Sequence, residues 1–178
     1  MPLANVERVG VALSRVGARR WDRVVIVCGL AGALRDDLPT GTVLIPEYVL
    51  QPDGERLTCD AAMVDALIDA SRALGFEPCC SPMLTSRSII CGAERGEWSR
   101  RGYASVDMEA GCIRAPRVAV LRVVLDTPQR ELSAAWREPR SALFHAECWK
   151  QLPWLMRAAP RGARRAADIV GRMLKTIA

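Results

Sequence analysis

Apolar positions along the chain switch between two periods, and the switching predicts alternating helices and strands. From Asn5 to Val16, the residues Val6, Val9, Leu13 and Val16 recur at helical spacing, and Gly17 ends the stretch. Arg23-Val-Val-Ile-Val-Cys28 follows as a β-branched run without alternation, the pattern of a strand buried on both faces. That strand is expected to end at Gly29, with Gly29-Leu-Ala-Gly32 as a turn. Leu38-Pro-Thr-Gly41 predicts a second turn, Thr42-Val-Leu-Ile-Pro46 a second strand and Asp53-Gly54 a further turn. Asp60 is placed to cap a helix whose apolar stripe is Met63, Leu67, Ala70 and Leu74, with Gly75 as its stop. Extended segments are expected near 79–85 and 87–91, and a helix over 93–101. Tyr103–Val106 reads as a strand, and Asp107-Met-Glu109 as the entry to a short helix. Val118–Leu125 is the strongest late strand and stops at Asp126-Thr-Pro128; a final helix runs from Ala163 to Ile177. Strands alternating with helices predict an α/β fold with a mostly parallel or mixed central sheet. The whole chain, 1–178, reads as one domain with a C-terminal helical segment over 151–178.

Composition narrows the chemistry. Half of the 178 residues are apolar and a quarter are charged, enough for one globular core. No apolar run reaches the roughly 18 residues of a membrane span. The opening residues lack the apolar stretch of a secretion signal, so the cytoplasm is the expected location. The cysteines at 28, 59, 79, 80, 91, 112 and 148 form no CxxC, and His145 is the one histidine. That set does not support a zinc site, and no other metal is expected. The thiols read as reduced and mostly buried small hydrophobes. A lone histidine also disfavours a Ser-His-Asp arrangement. The net charge is +5, and basic residues gather late, at Arg157, Arg161, Arg164, Arg165, Arg172 and Lys175. Aromatic residues, 5% of the chain, do not interleave with them, so the cluster reads as the solvated face of a helix and not as a nucleic-acid surface.

Ligands of such sheets bind beyond the carboxyl ends of strands, where three segments fall: Gly29–Gly32, Met108–Glu109 and Asp126. The glycines allow a close backbone approach to a ligand or serve only as a tight turn. The spacing is neither GxGxxG nor a P-loop, so no dinucleotide or nucleotide triphosphate is indicated. Glu109 suits a first helical turn, or accepts hydrogen bonds from vicinal hydroxyls. Asp126 ends a mostly apolar strand, as a turn residue or as a general acid. Arg122, a charge inside that same strand, needs an acidic partner. Asp126 stands four positions on, about 13 Å by strand rise, so the partner is expected elsewhere in the site region.

In this order, these segments resemble the nucleoside phosphorylase and nucleosidase superfamily over residues 5 to 135. The segments are Val25–Leu34, Leu38–Pro46, Ser105-Val-Asp-Met-Glu-Ala110 and Leu121-Arg-Val-Val-Leu-Asp126. The Gly-Leu-Ala-Gly turn, the Asp53-Gly54 region and the Val-Asp-Met-Glu-Ala spelling are most similar to the hopanoid-associated branch, for which release of adenine from adenosylhopane is implied. The resemblance implies a three-layer αβα sandwich. It also implies cleavage of the N-glycosidic bond of a purine nucleoside, with water or phosphate as nucleophile. By the same resemblance, Glu109 holds the ribose hydroxyls and Met108 packs on the sugar. Asp126 acts at purine N7, Ile89 and Ile90 flank the base, and Gly29, Leu30 and Gly32 border the ribose or nucleophile. No cofactor is implied beyond phosphate as a candidate co-substrate, and relatives form homo-oligomers.

The sequence departs from that family in four places. The usual first strand and hairpin have no counterpart before the helix at 5–16. The stretch from Glu109 to Arg122 is short, Leu125 replaces a serine that often precedes the aspartate, and Leu30 brings no hydroxyl. A vestigial nucleoside-binding domain of the same fold is therefore the alternative reading. A basic nucleic-acid binder is a third, supported by charge alone.

Overall fold

In the computed structural model, which describes residues 19–20, 22–137 and 145–176, two nine-residue strands lie side by side at the centre. Val25–Ala33 (β2) and Val118–Asp126 (β9) pair in parallel from Val25↔Val118 to Gly32↔Asp126. The remaining strands of this sheet are Val43–Leu44 (β3), Tyr48–Leu50 (β4), Arg56–Thr58 (β5), Met83–Thr85 (β6) and Ser105–Asp107 (β7). They form a mixed seven-stranded sheet in the order β3-β9-β2-β7-β6-β4-β5. Arg19–Arg20 (β1) and Ile113–Arg114 (β8) make a separate parallel pair. The expected α/β class with a mixed sheet is what is observed. The helix expected over Asn5–Val16 lies outside the described residues.

The helices are Ala61–Ala73 (α1), Ala93–Arg100 (α2) and Ala146–Thr176 (α3). α1 buries Met63, Val64, Leu67 and Ala70, and α3 buries Ala166, Ile169 and Met173, as their helical spacing requires. The two helices pack on each other and on β9, with the main core between helices and sheet. Trp98 of α2 packs on a second cluster of Leu34, Leu84, Ile90, Tyr103 and Val106. Arg165, from the late basic cluster, donates to the Gly41 carbonyl and stacks 4.2 Å over the Phe76 ring, so it pins α3 to two loops. No described helix is long and apolar enough to cross a membrane.

Several expectations change. Gly29–Gly32 is not a turn: β2 runs through it to Ala33, because β9 supplies ladder partners as far as Gly32. α3 begins at Ala146 and not at Ala163, passing through Pro153 and Pro160. Each proline removes the donor to the carbonyl four residues earlier. Both sit on the exposed side, where solvent can serve that carbonyl. Leu74 is left largely exposed just past the end of α1, outside the stripe it was expected to join. No strand forms over 87–91. The thiols are less buried than expected: Cys59, Cys112 and Cys148 are buried, Cys79, Cys80 and Cys91 are half-buried, and Cys28 is exposed.

Asp60 caps α1 by accepting the Met63 N–H at 3.1 Å, and takes two hydrogen bonds from Arg117, at 2.6 and 2.9 Å. The Arg117 bonds, then the Met63 amide, hold its carboxyl well below the usual range, at about 2. A carboxyl lowered on folding stabilises the fold above its unfolded value of about 3.9 and loses that contribution as pH falls toward the folded value. Asp60→Asn keeps a cap acceptor and removes the charge. Its thermal midpoint is expected below wild type at neutral pH, with the gap closing between about pH 4 and 2. A gap that is constant with pH contradicts the assignment.

Candidate active site

Arg122 is a buried charge inside the sheet. It lies in β9 between Gly29 of β2 and Leu44 of β3, with its side chain 5% exposed. Its Nε donates to Asp107 Oδ2 at 2.9 Å, and its Nη2 donates to the same oxygen and to Glu109 Oε2 at 3.1 Å. Burial by itself penalises the guanidinium charge. The facing Asp107 and Glu109 carboxylates outweigh that, and the group ends above the ordinary arginine value. Gly29 is what admits it: a Cβ there would collide with Arg122 Nη1. The acidic partner that Arg122 requires is therefore Asp107 with Glu109.

Asp107 is fixed from both sides. The Thr85 hydroxyl, its register partner in β6, donates to Oδ1 at 2.6 Å, and the Ala110 N–H donates to Oδ2 at 3.0 Å. Thr85 Oγ1 in turn accepts the Gly111 N–H at 2.7 Å. These bonds close a 3-10 turn over Ala110–Cys112, where the sequence predicted a helix entry. No longer helix fits, because the chain enters β8 at Ile113 and a Cβ on Gly111 would meet Thr85 at 3.0 Å and the Gln51 backbone at 3.2 Å. Glu109 leaves this turn with its side chain 21% exposed, so its carboxylate meets Arg122 and also reaches the surface.

β7 runs antiparallel to β2, with Gly32↔Val106 and Ala33↔Ser105. Its carboxyl end therefore returns along β2 toward Gly29 and does not project beyond the sheet, contrary to expectation. Among the described residues no strand pairs with this edge of β2 before Gly32.

Asp126 stands at the far end of β2. The register shifts between Ala31 and Gly32, so that Val124 and Asp126 oppose consecutive residues and Leu125 is the extra one. The shift places the Asp126 carboxylate beside Gly32, where a Cβ would lie 3.0 Å from Oδ1. Its Oδ2 accepts a hydrogen bond from Arg95 Nη2 of α2. Arg95 is 2% exposed and also donates from Nη1 to the Ala33 carbonyl at 2.6 Å and from Nε to the Ile90 carbonyl at 3.0 Å. Glu131 Oε1 lies 3.2 Å from the same Nε and accepts the Gly92 N–H at 2.7 Å. A cleft of about 350 Å³ opens on the α2 side, lined by Leu34, Gly96 and Pro128 with Arg95. Neither Asp126 nor Glu109 lines it, so the site is defined by the two charged clusters along β2.

The structure thus brings Gly29, Glu109 and Arg122 into one cluster, and Gly32 and Asp126 into another. Met108 is half-buried between Asp107 and Glu109. Leu30 is elsewhere: it shares a register with Val123, and its side chain meets Gly162 of α3, on the face away from Arg122. Ile90 turns its side chain into the second core cluster and offers only its carbonyl to Arg95, while Ile89 is half-buried. His145 is exposed at the start of α3. Sequence reasoning missed Asp107, Thr85, Arg95 and Glu131 as members of these networks. Among the described residues no group of three metal-ligating side chains could hold an ion.

Removing one partner of a buried ion pair leaves an uncompensated charge, at about 3–5 kcal/mol. Arg122→Met, which strands Asp107 beside Glu109, is expected to lose stability on that scale in urea unfolding. A loss below about 1 kcal/mol, the ceiling for an exposed pair, contradicts the burial described here.

No family model matches the sequence, and no curated protein matches it. Solved structures do match. An S-adenosylhomocysteine nucleosidase from Streptococcus pyogenes, in complex with 5-methylthiotubericidin, is 15% identical, with a TM-score of 0.65 over 87% of this chain and 68% of the other. A 5′-methylthioadenosine/S-adenosylhomocysteine nucleosidase from Neisseria meningitidis, in complex with methylthio-immucillin-A, is 17% identical, with a TM-score of 0.63 over 86% and 69%. A futalosine hydrolase of Helicobacter pylori is 13% identical, with a TM-score of 0.63 over 85% and 67%. At these identities the likeness is one of fold: the chain has the α/β architecture of solved nucleosidases.

Proposed function

We propose that the protein cleaves the N-glycosidic bond of a purine nucleoside. The observation that carries this reading is the pair of carboxylates staggered along β2, on a fold shared with nucleosidases. Glu109 is held through Arg122 opposite Gly29, and Asp126 stands opposite Gly32. The two glycines stand three residues apart along the strand, a rise of about 10 Å. Glu109, an acceptor with one oxygen on Arg122, takes the ribose hydroxyls and faces the positive charge that develops on the sugar. Asp126 serves the base. As the C1′–N9 bond breaks, its electron pair leaves with the purine, and a proton from Asp126 to N7 keeps the leaving base neutral. An oxygen nucleophile, water or phosphate, then bonds to C1′; when it is water, its proton passes to solvent, from which Asp126 regains the proton it gave to N7.

The finer assignments belong to the same proposal. Adenine is the base and the 5′ substituent is apolar, as in methylthioadenosine or adenosylhopane; the Gly-Leu-Ala-Gly and Val-Asp-Met-Glu-Ala segments support this. Met108 packs on the sugar, and Ile89 with the Ile90 backbone borders the base. The protein works in the cytoplasm as a homo-oligomer, which would suit the β2 edge left open among the described residues.

Base release tests the proposal. Adenosine, methylthioadenosine, adenosylhomocysteine, inosine and adenosylhopane are each incubated with the protein, with and without phosphate, and free base is followed by chromatography. Release is expected from an adenine nucleoside, lowered about 10²- to 10⁴-fold by Asp126→Asn. Dependence on phosphate separates phosphorolysis from hydrolysis. No release by the folded protein contradicts the proposal; nucleoside binding without release would leave the vestigial domain.

A further inference from the structure

Arg95 takes no part in the reaction as the sequence frames it, yet it is the largest fully buried side chain described. It belongs to an otherwise polar helix, α2, and its guanidinium passes beneath that helix to the end of β2 and β9. Its contacts come from four separate places: the Ala33 carbonyl at the end of β2, the Ile90 carbonyl before α2, Asp126 at the end of β9, and Glu131 in the loop beyond. Glu131 is itself held, since its backbone carbonyl accepts from Gln151 of α3 at 2.8 Å and its carboxylate from the Gly92 N–H.

A leucine or methionine would fill this space without the desolvation cost of a guanidinium. What only the guanidinium supplies is a planar fork of donors with fixed directions. Three of its nitrogens are committed, one of them to a single oxygen of Asp126, Oδ2. Oδ1, slightly nearer the Gly32 Cβ position than Oδ2 (3.0 against 3.3 Å), accepts no hydrogen bond among the described residues.

We infer that Arg95, backed by Glu131, is the positioning residue of the reaction: it fixes the Asp126 carboxylate so that Oδ1 and not Oδ2 meets the base. This rests on the proposed nucleoside cleavage and adds the residue that aims its acid. Arg95 acts through Asp126 and touches no substrate, so its loss falls on turnover. A misplacement of about 1 Å is enough to cost on the order of 10²-fold.

The test compares wild type with Arg95→Met, Arg95→Lys and Glu131→Gln, on whichever nucleoside wild type cleaves, and reads kcat, KM and the thermal midpoint. Arg95→Met is expected to lose about 10²-fold in kcat with KM changed by less than about threefold. Arg95→Lys restores the charge without the fork and recovers only part of the loss. Glu131→Gln keeps the acceptor for Gly92 and lowers kcat by a smaller factor. It covers the case in which Arg95→Met fails to fold. Wild-type kcat in folded Arg95→Lys and Glu131→Gln overturns the inference while leaving the nucleosidase reading intact. A loss confined to KM does the same, because it makes Arg95 part of the binding wall. A wild-type protein that releases no base overturns both.

Discussion

A guanidinium placed inside a sheet must be matched by carboxylates, and much of this site follows from meeting that demand at Arg122. The side chain lies in a strand buried at eight of its nine positions, with Gly29 on one flank and Leu44 on the other. Asp107 meets it from β7, Thr85 fixes Asp107 from β6, and the turn after β7 closes on the same two residues. Glu109 is thereby delivered to the surface end of the network, with one oxygen on Arg122. Three segments, β6, β7 with the turn after it, and β9, are tied to one buried charge. The turn at Ala110–Cys112 has its unusual shape because its amides serve Asp107 and Thr85 before they serve a helix.

The second charge, Arg95 with Asp126, repeats the logic at the other end of β2. In both places a glycine of β2 faces the charged group: a side chain would collide with Arg122 at Gly29 and crowd Asp126 at Gly32. Each glycine of the strand thus makes room for one ion pair. Each pair ends in a carboxylate, Glu109 at one end and Asp126 at the other. Buried ion pairs are a poor source of net stability against well-packed apolar residues. Their presence at both ends of one glycine-bearing strand is better explained by what they hold in place.

The elements were legible where a single periodicity ruled. β9, α1 and the last turns of α3 follow directly from Val118–Leu125, from Met63, Leu67 and Ala70, and from Ala166, Ile169 and Met173. Gly29–Gly32 was not legible as strand, because glycine is a turn signal locally and the reason for it, the side chains of Arg122 and Asp126, comes from a strand some ninety residues away. The first half of α3 was hidden by Pro153 and Pro160, whose cost depends on which side of the helix meets solvent. At the site, Arg122 announced itself as a charge within an apolar run, and its need for a carboxylate partner followed. Arg95 did not: Trp98 is the one large apolar residue of α2, and nothing in Ala-Glu-Arg-Gly-Glu-Trp-Ser-Arg marks one arginine as buried. Leu30 was drawn toward the site by its place between the glycines, but strand alternation turns it toward α3.

The central claim is that the Arg122–Asp107 pair is kept to place Glu109 and not to stabilise the sheet. The most direct measurement is the paired replacement Arg122→Met with Asp107→Leu, followed by urea unfolding and base release on the same preparation. A buried pair replaced by apolar residues of similar volume is often neutral or stabilising, by about 1–4 kcal/mol. The account predicts stability at or above wild type with base release lost. Full base release by a folded double variant would contradict it, because Glu109 would then need no buried arginine to do its work.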